Sequence, residues 1–120
     1  MQPDQERRRS TTTSAASASE VLRVSALDDD DQTVVLAGEF DMHGAAAFAH
    51  AVAALLRDGR TVVAVDATRV SFMDSAGLKC LLEARRDVVT AGGDFRLTAA
   101  SVPVRRVIAL AGLEDMLLPV

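Results

Sequence analysis

Few residues in this chain can do chemistry. It has two histidines, one cysteine, and neither tyrosine nor tryptophan. Asp74-Ser75-Ala76-Gly77 sets a hydroxyl between a carboxylate and two small residues. A hydrolase nucleophile of the α/β type calls for glycine two residues to either side of the serine. Gly77 matches, but Met73 stands where the first glycine belongs. A triad also needs a histidine base. The candidates are His43 and His50, with Asp41 available to orient His43. The same three residues are the nearest approach to a metal-ligand set, yet helical spacing turns His50 away from the side that Phe48 marks as apolar. "AGG" at 91–93 lacks the lysine and the serine or threonine of a phosphate-binding loop. Cys80 reads as a small buried thiol.

The remaining chemistry for Ser75 is to accept a phosphoryl group. Asp74 suits the N-cap of a following helix, which puts Ser75 in the first turn. A phosphate there meets unpaired backbone N–H groups and the positive end of the helix dipole. That is worth about 0.3–1 kcal/mol, and ~2 kcal/mol when partly buried. Asp74 opposes it by like-charge repulsion. Ala76 and Gly77 leave the backbone open to an approaching partner. Asp, Ser and Gly also gather at helix starts for capping alone, so the four residues by themselves leave both readings standing.

The elements that must position Ser75 follow from periodicity. In "VLRVSA", Leu22, Val24 and Ala26 form one apolar side, which predicts a half-buried strand. A charged turn, "LDDDDQ", leads to a second strand, "TVVLAGEF", as in an antiparallel hairpin. The aspartates at 28–31 lack the glycine and distal glutamate of a calcium loop, so they read as a solvated turn. From Ala45 to about Asp58, Phe48, Val52, Leu55 and Leu56 recur at helical spacing, and Gly59 closes the helix. Val62, Val63, Ala64 and Val65 form an apolar run, expected of a central strand covered on both faces and ending at Asp66. Leu78, Leu81, Leu82, Val88 and Val89 mark a second helix, ended by "AGGD". Lys79 and Glu83 lie on its polar side, where they could flank Ser75 or simply be solvated. "FRLTA" is a fourth strand, with Phe95, Leu97 and Ala99 on one face. Ser101 reads as an N-cap, with Pro103 in the first turn of a third helix whose apolar side is Val104, Val107, Ile108 and Ala111. "LEDMLLPV" makes a final helical turn. The order β-β-α-β-α-β-α implies a mixed sheet, parallel in its later strands. Working loops then gather at the strand carboxyl ends, here 38–44 and 68–77.

Composition narrows the function. The 120 residues fit one domain, and 49% are apolar, enough for a core. Residues 1–20 contain almost no bulky apolar side chain and are expected to be a disordered tail, with the domain spanning 21–120. Aromatic residues make up only 3% and the net charge is -4, which argues against direct nucleic-acid binding. One cysteine excludes an internal disulfide or a cysteine zinc site. No apolar run reaches the length of a membrane span, and no greasy segment follows Arg7, Arg8 and Arg9. A cytoplasmic location is expected, with no membrane partner and no cofactor.

Three segments, in order, resemble the single-domain anti-sigma-factor antagonists of the STAS family (sulfate transporter and anti-sigma factor antagonist). "VVLAGEFDMHGAAAF" is similar to the family's strand and Gly-Glu-hydrophobic-Asp loop. "VVAVDATRVSFMDSAGLKCLLEARR" is similar to its central strand, phosphorylation loop and helix. "AGGDFRLTAASVPVRRVIALAGLEDMLLPV" is similar to its closing strand, helix and C-terminal turn. The resemblance covers residues 21–119. It implies an α/β STAS-like domain with about four strands in a mixed sheet and three to four helices. It also implies a non-enzymatic partner switch. The unphosphorylated antagonist binds an anti-sigma factor, often a serine kinase, and so frees a sigma factor. Phosphorylation releases the antagonist, and a phosphatase resets it.

The residue matching the family's phosphorylated serine is Ser75. Asp74, Ala76, Gly77 and Lys79 surround it, and Glu39 and Asp41 match the neighbouring loop. Ala76 stands where the family often has a second serine, and Lys79 replaces a small residue, a change that bears on which partner is accepted. The alternative within the family is a STAS regulator of another complex, such as a transporter or a stress-signalling assembly.

Overall fold

The computed structural model describes residues 21–26 and 33–118. The expected tail at 1–20, the aspartate turn at 28–31 and Pro119 lie outside the described residues. Among the described residues the elements run in the order β1 (Arg23–Ala26), β2 (Thr33–Phe40), α1 (Met42–Arg57), β3 (Val62–Met73), α2 (Ser75–Thr90), β4 (Asp94–Ala100), α3 (Val102–Leu110) and α4 (Glu114–Leu117). The sheet order is β1-β2-β3-β4. β1 runs antiparallel to β2, whereas β2, β3 and β4 are parallel. The mixed sheet expected from the sequence is the one observed.

β2 shows why the helices collect on one face. Val34, Leu36, Gly38 and Phe40 are buried, while Thr33, Val35, Ala37 and Glu39 are half-buried. This is the period-two pattern of a sheet packed on one side. Crossovers between parallel strands are right-handed, and a strand order that advances in one direction puts successive helices on the same face. α1 accordingly packs against α2, and α2 touches α3. The core between helices and sheet is built on Leu36, Phe40, Phe48, Leu81, Val88, Val104 and Ile108. The Phe40 and Phe48 rings meet edge-on, with centroids 5.4 Å apart and planes at 66°.

Covering of β3 by helices on both faces is therefore corrected. Ladder register aligns Arg23, Ala37 and Arg69 in one row, Ser25, Val35 and Asp66 in a second, and Glu39 with Phe72 in a third. All are half-buried or exposed, and among the described residues no helix covers them. Ala64 is buried on this side because its short side chain sits between Thr33 and Arg96 on the flanking strands.

Two boundaries and two side-chain placements also differ from the sequence reading. β3 does not stop at Asp66 but continues to Met73. Two register shifts between β2 and β3 accommodate extra residues in the longer strand. At the first of them the Asp66 carboxylate accepts both the Thr68 N–H at 2.9 Å and the Thr68 hydroxyl at 2.7 Å. A residue that reads as a strand terminator thus satisfies an amide where the ladder is interrupted. α1 begins at Met42 instead of Ala45, because Asp41 caps it. Ser101 occupies the N-cap position of α3, but its side chain makes no cap hydrogen bond, and among the described residues its buried Oγ has no partner. Val89 belongs to the exposed side of α2, at 50% exposure.

Candidate functional site

The carboxyl edge of the parallel strands holds two turns of the same design. β2 leaves through Phe40-Asp41-Met42-His43-Gly44, and β3 leaves through Met73-Asp74-Ser75-Ala76-Gly77. Phe40 and Met73 are ladder partners, so the two turns stand side by side. In each, an extended aspartate is the N-cap, and the glycine three residues on donates its N–H to that carboxylate. The Gly44 amide reaches Asp41 Oδ1 at 3.0 Å, and the Gly77 amide reaches Asp74 Oδ1 at 3.1 Å. The His43 amide also donates to Asp41 Oδ1, at 3.0 Å. The first intrahelical bonds start from the same aspartates, Ala45 N–H to Asp41 O at 2.8 Å and Leu78 N–H to Asp74 O at 3.1 Å.

The glycines are required by packing. A Cβ on Gly44 would lie 2.8 Å from the Glu39 carbonyl oxygen and 2.8 Å from Leu22 Cβ. A Cβ on Gly77 would fall on the Phe40 carbonyl oxygen, in the next turn. Gly77 is buried, so its lack of a side chain lets α2 close onto β2. It does not offer open backbone to a partner, as its position beside Ser75 suggested. Gly44 carries the same role in α1. Its signal in the sequence was the Asp-x-x-Gly spacing that it shares with Asp74 and Gly77.

Ser75 is the first residue of α2 and is exposed. Ala76 is half-buried, and Lys79 and Glu83 are exposed on the following turns. Glu39 is half-buried on the open sheet face, in register with Phe72. Met42 holds the position in α1 that Ser75 holds in α2, and it is 68% exposed; Phe72 is 45% exposed. The sequence reading singled out neither of these two large apolar side chains. The Asp41 carboxyl is held below the usual carboxylate range, chiefly by the Gly44 N–H bond, with the His43 amide and ring charge adding to it against some desolvation.

Cys80 lies elsewhere. It is buried between α1 and α2, and its thiol donates to the Ala45 carbonyl at 3.3 Å. Burial, and secondarily the charge of Glu83, pushes its pKa up to about 11. The thiolate is therefore scarce near neutral pH, and the thiol acts as a packing group. His50 is exposed, as its helical phase predicted. Among the described residues no three His, Cys, Asp or Glu side chains converge as a metal site requires, and no helix is long and apolar enough to cross a membrane.

A one-sided mixed sheet, with paired Asp-x-x-Gly turns at its carboxyl edge and an exposed serine opening the second helix, defines a small α/β domain with a built strand-edge site. Residues 19–119 match the family model described as Mlab, STAS domain, and the chain belongs to that family. The anti-sigma-F factor antagonist RsfB of Mycobacterium tuberculosis is 31% identical over 94 residues, covering 78% of this chain and 76% of the relative. Among solved structures, an anti-sigma factor antagonist from Mycobacterium paratuberculosis superposes with a TM-score of 0.66 at 30% identity, covering 82% of this chain and 86% of that one. The Bacillus cell fate determinant SpoIIAA in its phosphorylated form superposes with a TM-score of 0.60 at 25% identity, covering 82% and 89%.

Proposed function

We propose that this chain is an anti-sigma factor antagonist switched by phosphorylation of Ser75. The observation that carries the reading is the exposed Ser75 hydroxyl at the first position of α2, on the shared edge of the two aspartate-capped turns. Unmodified, the protein binds an anti-sigma factor of the serine-kinase type and so frees a sigma factor. Met42 and Phe72 support a contact surface there, since large apolar side chains exposed beside a functional group are the usual core of a protein interface. Glu39, Asp41, Ala76 and Lys79 border the contact, and Asp74 and Gly77 set the position of Ser75. The chain is a kinase substrate and not an enzyme. It uses no cofactor, and neither nucleic acid nor membrane is a direct partner. It works in the cytoplasm.

The switch needs no refolding. The Ser75 Oγ attacks the terminal phosphorus of ATP on the kinase. The Oγ–P bond forms, the bond to ADP breaks, and the hydroxyl proton passes to a base on the kinase. The product carries about -1.5 to -2 charges. Enclosed in an interface without a basic partner, that charge costs several kcal/mol, and each ~1.4 kcal/mol is a tenfold loss of affinity. A phosphatase acting on phosphorylated Ser75 restores binding.

The test is calorimetry of Ser75→Ala and Ser75→Glu against the anti-sigma kinases of the source genome, with phosphorylation followed in parallel. Ser75→Ala binds as the natural chain does and takes up no phosphate. Ser75→Glu binds at least tenfold more weakly. Equal affinity for both variants, or phosphate uptake by Ser75→Ala, overturns the reading.

A further inference from the structure

β2, β3 and β4 run parallel, and sheets built on parallel strands usually have both faces covered. Here the helices lie on one face, and among the described residues no helix covers the other. The bare face sets out large and small, acidic and basic residues in rows. Arg23, Ala37 and Arg69 form one row, and Ser25, Val35 and Asp66 form the row before it. Thr33 and Ala64 lie toward the amino end, and Val21, Glu39 and Phe72 toward the carboxyl end. On β4 the charges are matched within the chain, with Arg96 Nε donating to Asp94 Oδ2 at 2.6 Å. Among the described residues Arg69 has no such ion pair.

These rows complement themselves under a two-fold rotation. An axis lying in the face, across the strands and midway between the Val35 and Ala37 rows, sets a second copy's β3 over β3 with the rows exchanged. Asp66 then meets Arg69 of the second copy, and Arg69 meets its Asp66. Phe72 meets Ala64, and Val35 meets Ala37. Sheets packed face to face lie about 10 Å apart, a gap that a large residue fills opposite a small one. Their strands stay within about 30° of alignment, and Asp66 and Arg69 sit beside the axis, where that rotation displaces them least. Both Thr68 bonds end on Asp66 Oδ1, so Oδ2 keeps acceptor capacity for a guanidinium. A closed two-fold interface uses the same patch on both copies, so each contact occurs twice.

We propose that the helix-free face of the sheet is the interface of a reversible homodimer, held by the exchanged Asp66–Arg69 pairs and by Phe72 against Ala64. Its size sets its strength. Four strands about 4.8 Å apart, with eight residues of β2 at about 3.3 Å each, give a face on the order of 500 Å² per copy. Two such faces bury about 1,000 Å², the low end for a specific interface. The dimer is therefore weak, with a dissociation constant of roughly 50–500 μM, and a dilute chain is a monomer with this face bare. Glu39 and Phe72 also border the surface proposed for the anti-sigma factor. On that reading, a second copy and the anti-sigma factor compete for this edge.

The test is sedimentation equilibrium of the full chain from about 10 μM to about 1 mM, a range that spans the expected dissociation constant. The natural chain passes from monomer to dimer across it. Arg69→Asp sets like charges against each other twice and raises the dissociation constant at least about tenfold. Asp66→Asn in the Arg69→Asp background keeps an oxygen for Thr68, removes that repulsion and recovers at least about threefold of the loss. Leu110→Ser, at an 89% exposed side chain of α3, leaves dimerisation unchanged. Heteronuclear NMR of the natural chain reads the face without any substitution. As the concentration rises, amide signals of β2 and β3 shift, and those of α1 and α3 stay fixed. A chain that is monomeric throughout the range overturns the inference. So does a dimer lost in Leu110→Ser and kept in Arg69→Asp, or a set of shifts confined to the helices. Neither kinase nor anti-sigma factor takes part, so failure here leaves the reading of Ser75 untouched.

Discussion

Asp41 and Asp74 do the same mechanical work three residues ahead of a glycine. They differ in the residue that follows each, methionine in one turn and serine in the other. That pairing makes Asp41 a useful probe, since its carboxylate stabilises α1 without standing next to Ser75 in the chain. Its folded-state pKa is depressed below 3.8 by the Gly44 N–H bond first. A depressed carboxylate adds stability that is complete above its unfolded-state pKa and lost as the pH falls through the folded-state one. Asp41→Asn is therefore expected to lower the urea midpoint near neutral pH. The gap from the natural chain should close as the pH drops below about 3.8. A gap that stays constant through that range would mean that the charge is not what the cap supplies.

At the scale of the element, the helix starts are controlled by what they press against. Alanine normally improves a helix relative to glycine by up to about 1 kcal/mol. At Gly77 the sign reverses, because the added methyl meets the Phe40 carbonyl. Gly77→Ala is expected to destabilise by about 1–3 kcal/mol, the usual range for overpacking. It is also expected to tilt α2 and shift Ser75, and on the proposed function phosphorylation of Ser75 then slows. Chemical denaturation paired with a phosphorylation rate checks both effects. A stabilised Gly77→Ala would show that α2 has room to move and that the close approach of the two turns is not required. β3 makes the complementary point: it extends past Asp66 to Met73 because a side chain satisfies the bulge, and that extension carries Asp74 out to the level of Asp41.

At the scale of the molecule, helices lie on one face of the sheet, and the other face carries Arg23, Val35, Glu39, Arg69 and Phe72. Phe48 is fully buried against Phe40, and Phe48→Ala is expected to cost about 3–5 kcal/mol. Arg69→Ala, on the open face, should change stability by no more than about 0.5 kcal/mol. Thermal unfolding of the two variants checks the contrast. A large loss from Arg69→Ala would show that the open face is covered in the folded protein. A cleft of about 320 Å³ between α1 and α2, lined by Ala49, Val52, Ala53, Cys80 and Ala84, ends on the buried thiol.

Much of this was legible in the residues. The strand and helix order follows from period-two and period-3.6 spacing, and the mixed sheet follows from the order. The cap at Asp74 and the position of Ser75 follow from local chemistry, which acts over three or four residues and needs no tertiary partner. The pairing of the two turns needed the fold, because it depends on β2 and β3 being neighbours in register, with Phe40 opposite Met73. The inward role of Gly77 and Gly44 needed it too, since each glycine answers to a carbonyl or side chain supplied by another element. Exposure of Met42 and Phe72 was hidden for the same reason. An apolar side chain looks like core in one dimension, and only the packing of the remaining chain decides whether anything is left to cover it.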